Sequence, residues 1–402
     1  MSHIRKKSTA VAGLSVAAAV LAGCAGPDTP TQPEELPHGY VEGAEEAAEA
    51  QSRLVVADAD AGTVRVLDLI TGDVTDAGQV RGVEDVVGDG RFAYLASGQS
   101  VRIVDSGSWM VDHGDHVHYY RAAVREVGTI AGTGPVRAYR DPAVVAVSFG
   151  DGTASLLDRA ELDAGTIAET GKVEDVARGA AVLPFDGHVL VPVEQPGRAG
   201  AVQVRSRDGQ PVTTIDQPCP GPAGAAVTRR GVVFGCADGA LLVGSKDGRF
   251  SGEKIPYPRP VPEDERAQEF DHRPGSDTLA AKAGETGVWS LDVAHRKWTY
   301  VATGPVLAAN AVGAGGPLLA LTSDGALHAF DGETGQETAV VPLLSDPVAG
   351  GAEPTIEIDT SRAYINDATA GVVHEIDYND ALRRARTFEL GGRATHLVET
   401  GR

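Results

Sequence analysis

Aromatic residues are scarce in this chain, at 5% of 402 positions, and there are three cysteines and two methionines. Basic residues are outnumbered 35 to 56 by acidic ones, for a formal charge of −21. That balance excludes the basic footprint a nucleic-acid binder needs. Three cysteines are too few for a disulfide-scaffolded mini-domain. No segment approaches the ~20 continuous apolar residues of a membrane-spanning helix, so lipid would be the only anchor. Catalytic signatures are also missing. Beyond the first 23 residues there is no G-x-S-x-G elbow, H-E-x-x-H helix, phosphate-binding P-loop or dinucleotide fingerprint. What the chain does have is 42% hydrophobic residues, enough for a sizeable core, and 50 glycines without a collagen-like period, which point to many tight turns.

The N-terminus reads as an address. Arg5, Lys6 and Lys7 precede a short run of small apolar residues, followed by Leu21-Ala22-Gly23-Cys24. Small residues before a Cys after such a run resemble a bacterial lipobox, in which Cys24 would become the acylated first residue. Residues 1–23 are therefore expected to be a lipoprotein signal peptide, and their removal takes the charge from −21 to −24. Residues 24–50 are Pro-rich and then acidic, and are expected to form a lipid-anchored flexible tether ending in a short helix. Cys219 and Cys236 remain. An even pair in an exported protein predicts a disulfide across a strand–turn–strand segment.

Residues 51–402 read as one repeat array. Pairs of apolar runs separated by a turn recur eight times, starting with 54–68 and ending with 363–377, and the second run often ends in Asp. The turn positions, from Gly62 to Gly371, are spaced by about 44 residues, the length of a four-stranded propeller blade. The expected fold is all-β: an eight-bladed β-propeller of four-stranded blades. The first pair lacks an inner strand and the C-terminal RATHLVET is one strand too many, so the ring is expected to be closed by the C-terminal strand. Trp109 and Trp289 are expected to pack between blades.

Three of the 11 histidines crowd into Asp112-His113-Gly114-Asp115-His116-Val117-His118. His116 and His118 share a face if the segment is extended, and Gly114 lets His113 approach. Neutral imidazole is a favoured Zn²⁺ ligand, so His113, His116 and His118 are candidate metal ligands. The fourth ligand is left open between His272, His396, Asp112 and Asp115. His272 and His396 are placed at inner-strand positions, which line a propeller's channel. The cluster is expected to follow the outer strand of blade 2, SGSWMVD, at the start of a long connection to blade 3. Asp58, Asp60 and Gly62 faintly resemble a calcium loop, but a turn fits the spacing better.

The lipobox, the repeats, the segment VDHGDHVHYYR and the Cys219–Cys236 segment together resemble the AztD family of zinc metallochaperones. The resemblance spans nearly the whole chain after the signal. It implies high-affinity Zn²⁺ binding outside the cytoplasm and delivery to the solute-binding protein of a zinc ABC importer, with no chemistry of the protein's own. It also implies further histidines near the starts of blades 4 and 5. Here those places read VEDVARGAAV and CPGPAGAAV, so any second family site is altered or absent. Two other readings remain at this stage. One is a lactonase-like propeller hydrolase using a channel metal with Glu84, Asp85 or Glu357. The other is a metal-free surface interaction propeller.

Overall fold

The computed structural model describes residues 40–113, 116–194, 199–347 and 354–402. The signal peptide, Cys24, Gly114 and Asp115 lie outside the described residues.

All eight apolar pairs form antiparallel strand pairs, from Arg53–Asp58 with Thr63–Asp68 to Ala363–Asp367 with Val372–Asp377. Each pair lies within a larger sheet. In the third sheet, for example, Val136–Arg140 precedes the pair and Glu169–Val173 follows it. Among the described residues, seven antiparallel sheets have four strands and two have three. The chain is all-β, and this succession of sheets is consistent with a β-propeller. The first sheet takes one strand from the far end of the chain, where His396–Thr400 pairs with Arg53–Asp58.

The middle strands read as continuous apolar runs because they are covered on both faces. Leu54, Val55, Val56 and Ala57 are at most 2% exposed. One face of the first sheet (Val55, Ala57, Val66) packs on Ala93, Leu95 and Val104 of the second. Its other face (Leu54, Val56, Leu67) packs on Tyr364, Val373 and Phe388 of the eighth. Burial on this scale contributes about 1.5–3 kcal/mol per large apolar side chain. Several last strands face water; Pro211–Thr214 is exposed throughout.

The recurrent Asp at the end of the third strand has a mechanical role. The carboxylates of Asp68, Asp105, Asp158, Asp292, Asp331 and Asp377 each accept a backbone N–H two or three residues on. These are Asx-type turns, which tighten the corner into the next segment. Asp58 makes the same kind of turn with the N–H groups of Asp60 and Ala61, as expected for a turn rather than a calcium loop. Part of the chain's negative charge therefore serves as turn chemistry. The Cys219–Cys236 disulfide is formed, with Cα atoms 5.1 Å apart. It joins the entry loop of the fifth sheet to Gly231–Cys236, inside a buried cluster with Ala225, Phe234 and Leu241.

Two local expectations need correction. The outer strand of the second sheet is Arg125–Ala131, paired with Ser100–Asp105, and not SGSWMVD. Ser108–Asp112 instead pairs with Val117–Arg121 as a separate hairpin. Glu45–Ala47, placed in the tether with a short helix expected at its end, is a strand on the edge of that hairpin. The 117–121 strand offers open backbone groups on that edge, and a short acidic segment can satisfy them while its side chains stay in water.

Candidate metal centre

The site is built on the inserted hairpin. The chain leaves the second sheet at Gly107, whose φ is +69° and where a Cβ would collide with the Ala122 carbonyl oxygen. The Asp105 carboxylate accepts the Gly107 N–H at 2.9 Å. The Ala122 N–H donates to the Gly107 carbonyl at 2.7 Å, so the two ends of the excursion meet. The Arg53 guanidinium ties both ends down, donating to the carbonyls of Ser106 and Ala122 at 2.6 and 3.1 Å.

An aromatic stack supports the hairpin. Tyr120 lies against Trp109 with ring centroids 5.4 Å apart, and Arg91 sits 3.7 Å from the Trp109 ring centroid. Arg91 in turn forms a two-pronged pair with Asp105 at 3.1 and 2.8 Å, and both side chains are 1% exposed. A cation over an indole, held by a buried carboxylate, fixes the root of the hairpin to the second sheet. Trp109 therefore packs within and beneath the hairpin, while Trp289 packs with Tyr257 and Trp298 in the cluster joining the fifth and sixth sheets.

The hairpin brings the three imidazoles together. The His113 N–H donates to the His116 carbonyl at 2.9 Å. The ring centroids of His113 and His116 are 4.9 Å apart, and His118 meets them edge-on at 5.3 and 4.9 Å. One ligand atom from each ring can be chosen so that all three lie within 4.8 Å of one another. His113 and His116 are exposed and His118 is half-buried. Three imidazole donors this close suit Zn²⁺, which takes nitrogen ligands and tolerates an open position.

His118 is also held from outside the cluster. Its Nδ1 lies 2.7 Å from Oε1 of Glu46 on the edge strand. A carboxylate accepts only, so Nδ1 carries a proton and, in the neutral ring, Nε2 is the nitrogen with the lone pair. The neighbouring Glu45 pairs with Arg121 at 2.9 Å.

Of the other candidates, His272 and His396 sit elsewhere, Asp112 directly precedes His113 on the hairpin, and Asp115 lies outside the described residues. His272 does not join the cluster. It lies before the sixth sheet, bridges to Ala311, and its Nε2 donates to the Val227 carbonyl at 3.0 Å. Burial pushes the His272 imidazole down to about 4. His396 is buried on the strand next to Arg53–Asp58, with Nδ1 3.0 Å from the Thr395 hydroxyl. Asp112 ends the first hairpin strand, opposite Val117.

The carboxylates of the hydrolase reading are scattered in role. Glu84 and Asp85 line a cavity of about 690 Å³ with Arg137, Tyr139, Glu269 and Asp271. Burial raises the Asp85 carboxyl, which accepts the Val136 N–H at 2.8 Å. Burial, and then the charges of Glu269 and Glu357, push Asp271 up to about 7. Glu357 is paired with Arg402 at 2.6 Å.

Sequence reasoning missed Glu46, Arg91 and the Trp109–Tyr120 stack as parts of the site. The alternation Trp109, Val111 against His118, Tyr120 carried a hairpin signal. Nothing local pointed to Glu46, 72 residues from its partner.

No family model matches the chain. It is similar to the zinc chaperone AztD of Citrobacter koseri, at 25% identity over 374 residues, which cover 87% of this chain and 86% of that protein. The crystal structure of Citrobacter koseri AztD superposes with a TM-score of 0.74 at 21% identity, over 88% of this chain and 98% of that one. The apo form of that protein gives 0.73 at 20% identity over the same shares. At this identity the structural likeness shows the fold; together with the sequence match, the chain is AztD-like over most of its length.

Proposed function

We propose that this AztD-like chain is an extracytoplasmic zinc metallochaperone that binds Zn²⁺ at His113, His116 and His118. The ion is cargo, and the protein performs no chemistry on it. The observation that carries this reading is the convergence of three imidazoles, two of them exposed, on the inserted hairpin, in a chain that resembles a zinc chaperone over 87% of its length. Three protein donors leave a coordination position for a receiving ligand. A site with exposed ligands can also surrender them one at a time. The receiver in this reading is the solute-binding protein of a zinc ABC importer.

The same reading makes residues 1–23 a lipoprotein signal and Cys24 the lipid anchor on the bacterial cell membrane. The tether then ends where Glu45–Ala47 joins the hairpin. The body is an eight-bladed propeller closed by the C-terminal strand, which the pairing of His396–Thr400 with Arg53–Asp58 supports.

Zinc calorimetry on the wild type and a His116→Ala/His118→Ala variant tests the site. Binding should be lost or strongly weakened in the variant; unchanged affinity would remove the cluster from the argument. Transfer is tested separately, by mixing the zinc-loaded protein with a zinc solute-binding protein and following the metal on each.

A further inference from the structure

The strand Glu45–Ala47 lies in a stretch whose acidic composition reads as solvated linker. Its register on the hairpin is nevertheless defined: Glu45 opposite Arg121, Glu46 opposite Tyr120 and Ala47 opposite Tyr119. That register places the Glu46 carboxylate 2.7 Å from Nδ1 of His118. No other carboxylate is recorded on the His118 ring among the described residues.

We propose that Glu46 is a positioning residue for metal binding. Its carboxylate holds the His118 ring in the Nδ1–H tautomer and aims Nε2 at the other two imidazoles, so the N-terminal strand is part of the metal site. This rests on the reading that His118 is a ligand. Metal-binding imidazoles generally give their second ring N–H to a carboxylate or carbonyl, which fixes orientation and raises the basicity of the donor nitrogen. Glu46 supplies that partner from a different part of the chain. Metal binding and docking of the strand are therefore linked. An ion on Nε2 favours the docked strand, and the docked strand favours the ion by the same factor. Anything that peels Glu45–Ala47 from the hairpin edge loosens the metal without touching a ligand.

The test uses the whole chain and Zn²⁺ in competition with a chromophoric chelator. The Glu46 side chain is 46% exposed, so the expected loss in Glu46→Ala is at the lower end of outer-shell effects, about 10-fold. Glu46→Gln, which keeps an acceptor but not the charge, should fall between that variant and the wild type. Glu45→Ala removes from the same strand an exposed ion pair with Arg121 that contributes little to docking, so it should weaken binding by clearly less than Glu46→Ala. Equal losses in Glu45→Ala and Glu46→Ala would overturn the proposal, because the effect would then come from strand docking alone. So would an unchanged affinity in Glu46→Ala alongside a weakened His118→Ala. If His118→Ala itself binds normally, the failure lies in the metal reading. A metal-free readout is the ¹⁵N-edited imidazole spectrum. His118 should be in the Nδ1–H form in the wild type and shift towards Nε2–H in Glu46→Ala; an unshifted tautomer counts against the proposal.

Discussion

His118 and His272 are both imidazoles with one ring nitrogen engaged, and the two bonds have opposite consequences. His118 gives Nδ1–H to a carboxylate, keeps its Nε2 lone pair, and has two more imidazoles within reach. His272 gives Nε2–H to a main-chain carbonyl where desolvation disfavours its charged form. The residue type is the same, and each sits where sequence reasoning proposed a ligand. What separates them is the company each keeps. A ligand needs other donors converging on the same point, which among the described residues the hairpin supplies and the surroundings of His272 do not.

The largest expected effect breaks this comparison directly. His116→Ala/His118→Ala should weaken Zn²⁺ binding by more than about 100-fold, beyond what outer-shell changes alone produce. His272→Ala should leave it unchanged. Calorimetry of both variants decides whether the two environments differ as described.

The next effect concerns the root of the hairpin. Removing Arg91 leaves Asp105 buried without its main partner and the Trp109 ring without its cation. Arg91→Ala should cost about 3 kcal/mol of stability, read from denaturant midpoints, the lower end for breaking a buried pair, since Asp105 keeps the part-exposed Arg125 at 3.1 Å. A loss under about 1 kcal/mol would show that the hairpin is not anchored there.

In the fifth sheet, replacing Cys219 and Cys236 together by Ser should cost about 2–4 kcal/mol and leave zinc affinity alone. A parallel loss of affinity would mean the metal hairpin depends on the fifth sheet.

The smallest expected effect sharpens the His272 side. Its folded-state value is depressed, so the unfolded chain binds the extra proton first. Stability should therefore be full above 6.5 and fall as pH drops towards about 4. His272→Gln should flatten that part of the pH–stability curve, and an unaltered slope would contradict burial as the cause.

Much of the sheet architecture was legible because its signals are local. Strands such as Leu54–Ala57 are buried on both faces and so are continuously apolar, and an Asp such as Asp68 or Asp331 marks the turn after the third strand in six of the eight sheets built on the apolar pairs. The extra strand at 396–400 was visible as a surplus, and it pairs with Arg53–Asp58. The histidine cluster was visible through its density. The outer strand Arg125–Ala131 was not, because an edge strand alternates weakly and here follows a 14-residue excursion, 108–121. Glu46 was invisible for a different reason. It lies in an acidic run in which any carboxylate looks alike, and only the pairing of Glu45–Ala47 with Val117–Arg121 singles one out.

The meeting of Gly107 and Ala122 across one hydrogen bond has a consequence for how such a protein can change. The excursion departs and returns at nearly one point, and the second sheet finds its fourth strand directly afterwards, with one irregularity of pairing between Glu126 and Gly128. The hairpin is in that sense a cassette. It could be lengthened, shortened or exchanged while the surrounding sheets keep their pairing. Its tip can vary under selection for a partner's shape independently of the sequence that folds the body. A graft of 107–122, with the Glu45–Ala47 strand supplied alongside, would carry the three imidazoles and their carboxylate as a unit.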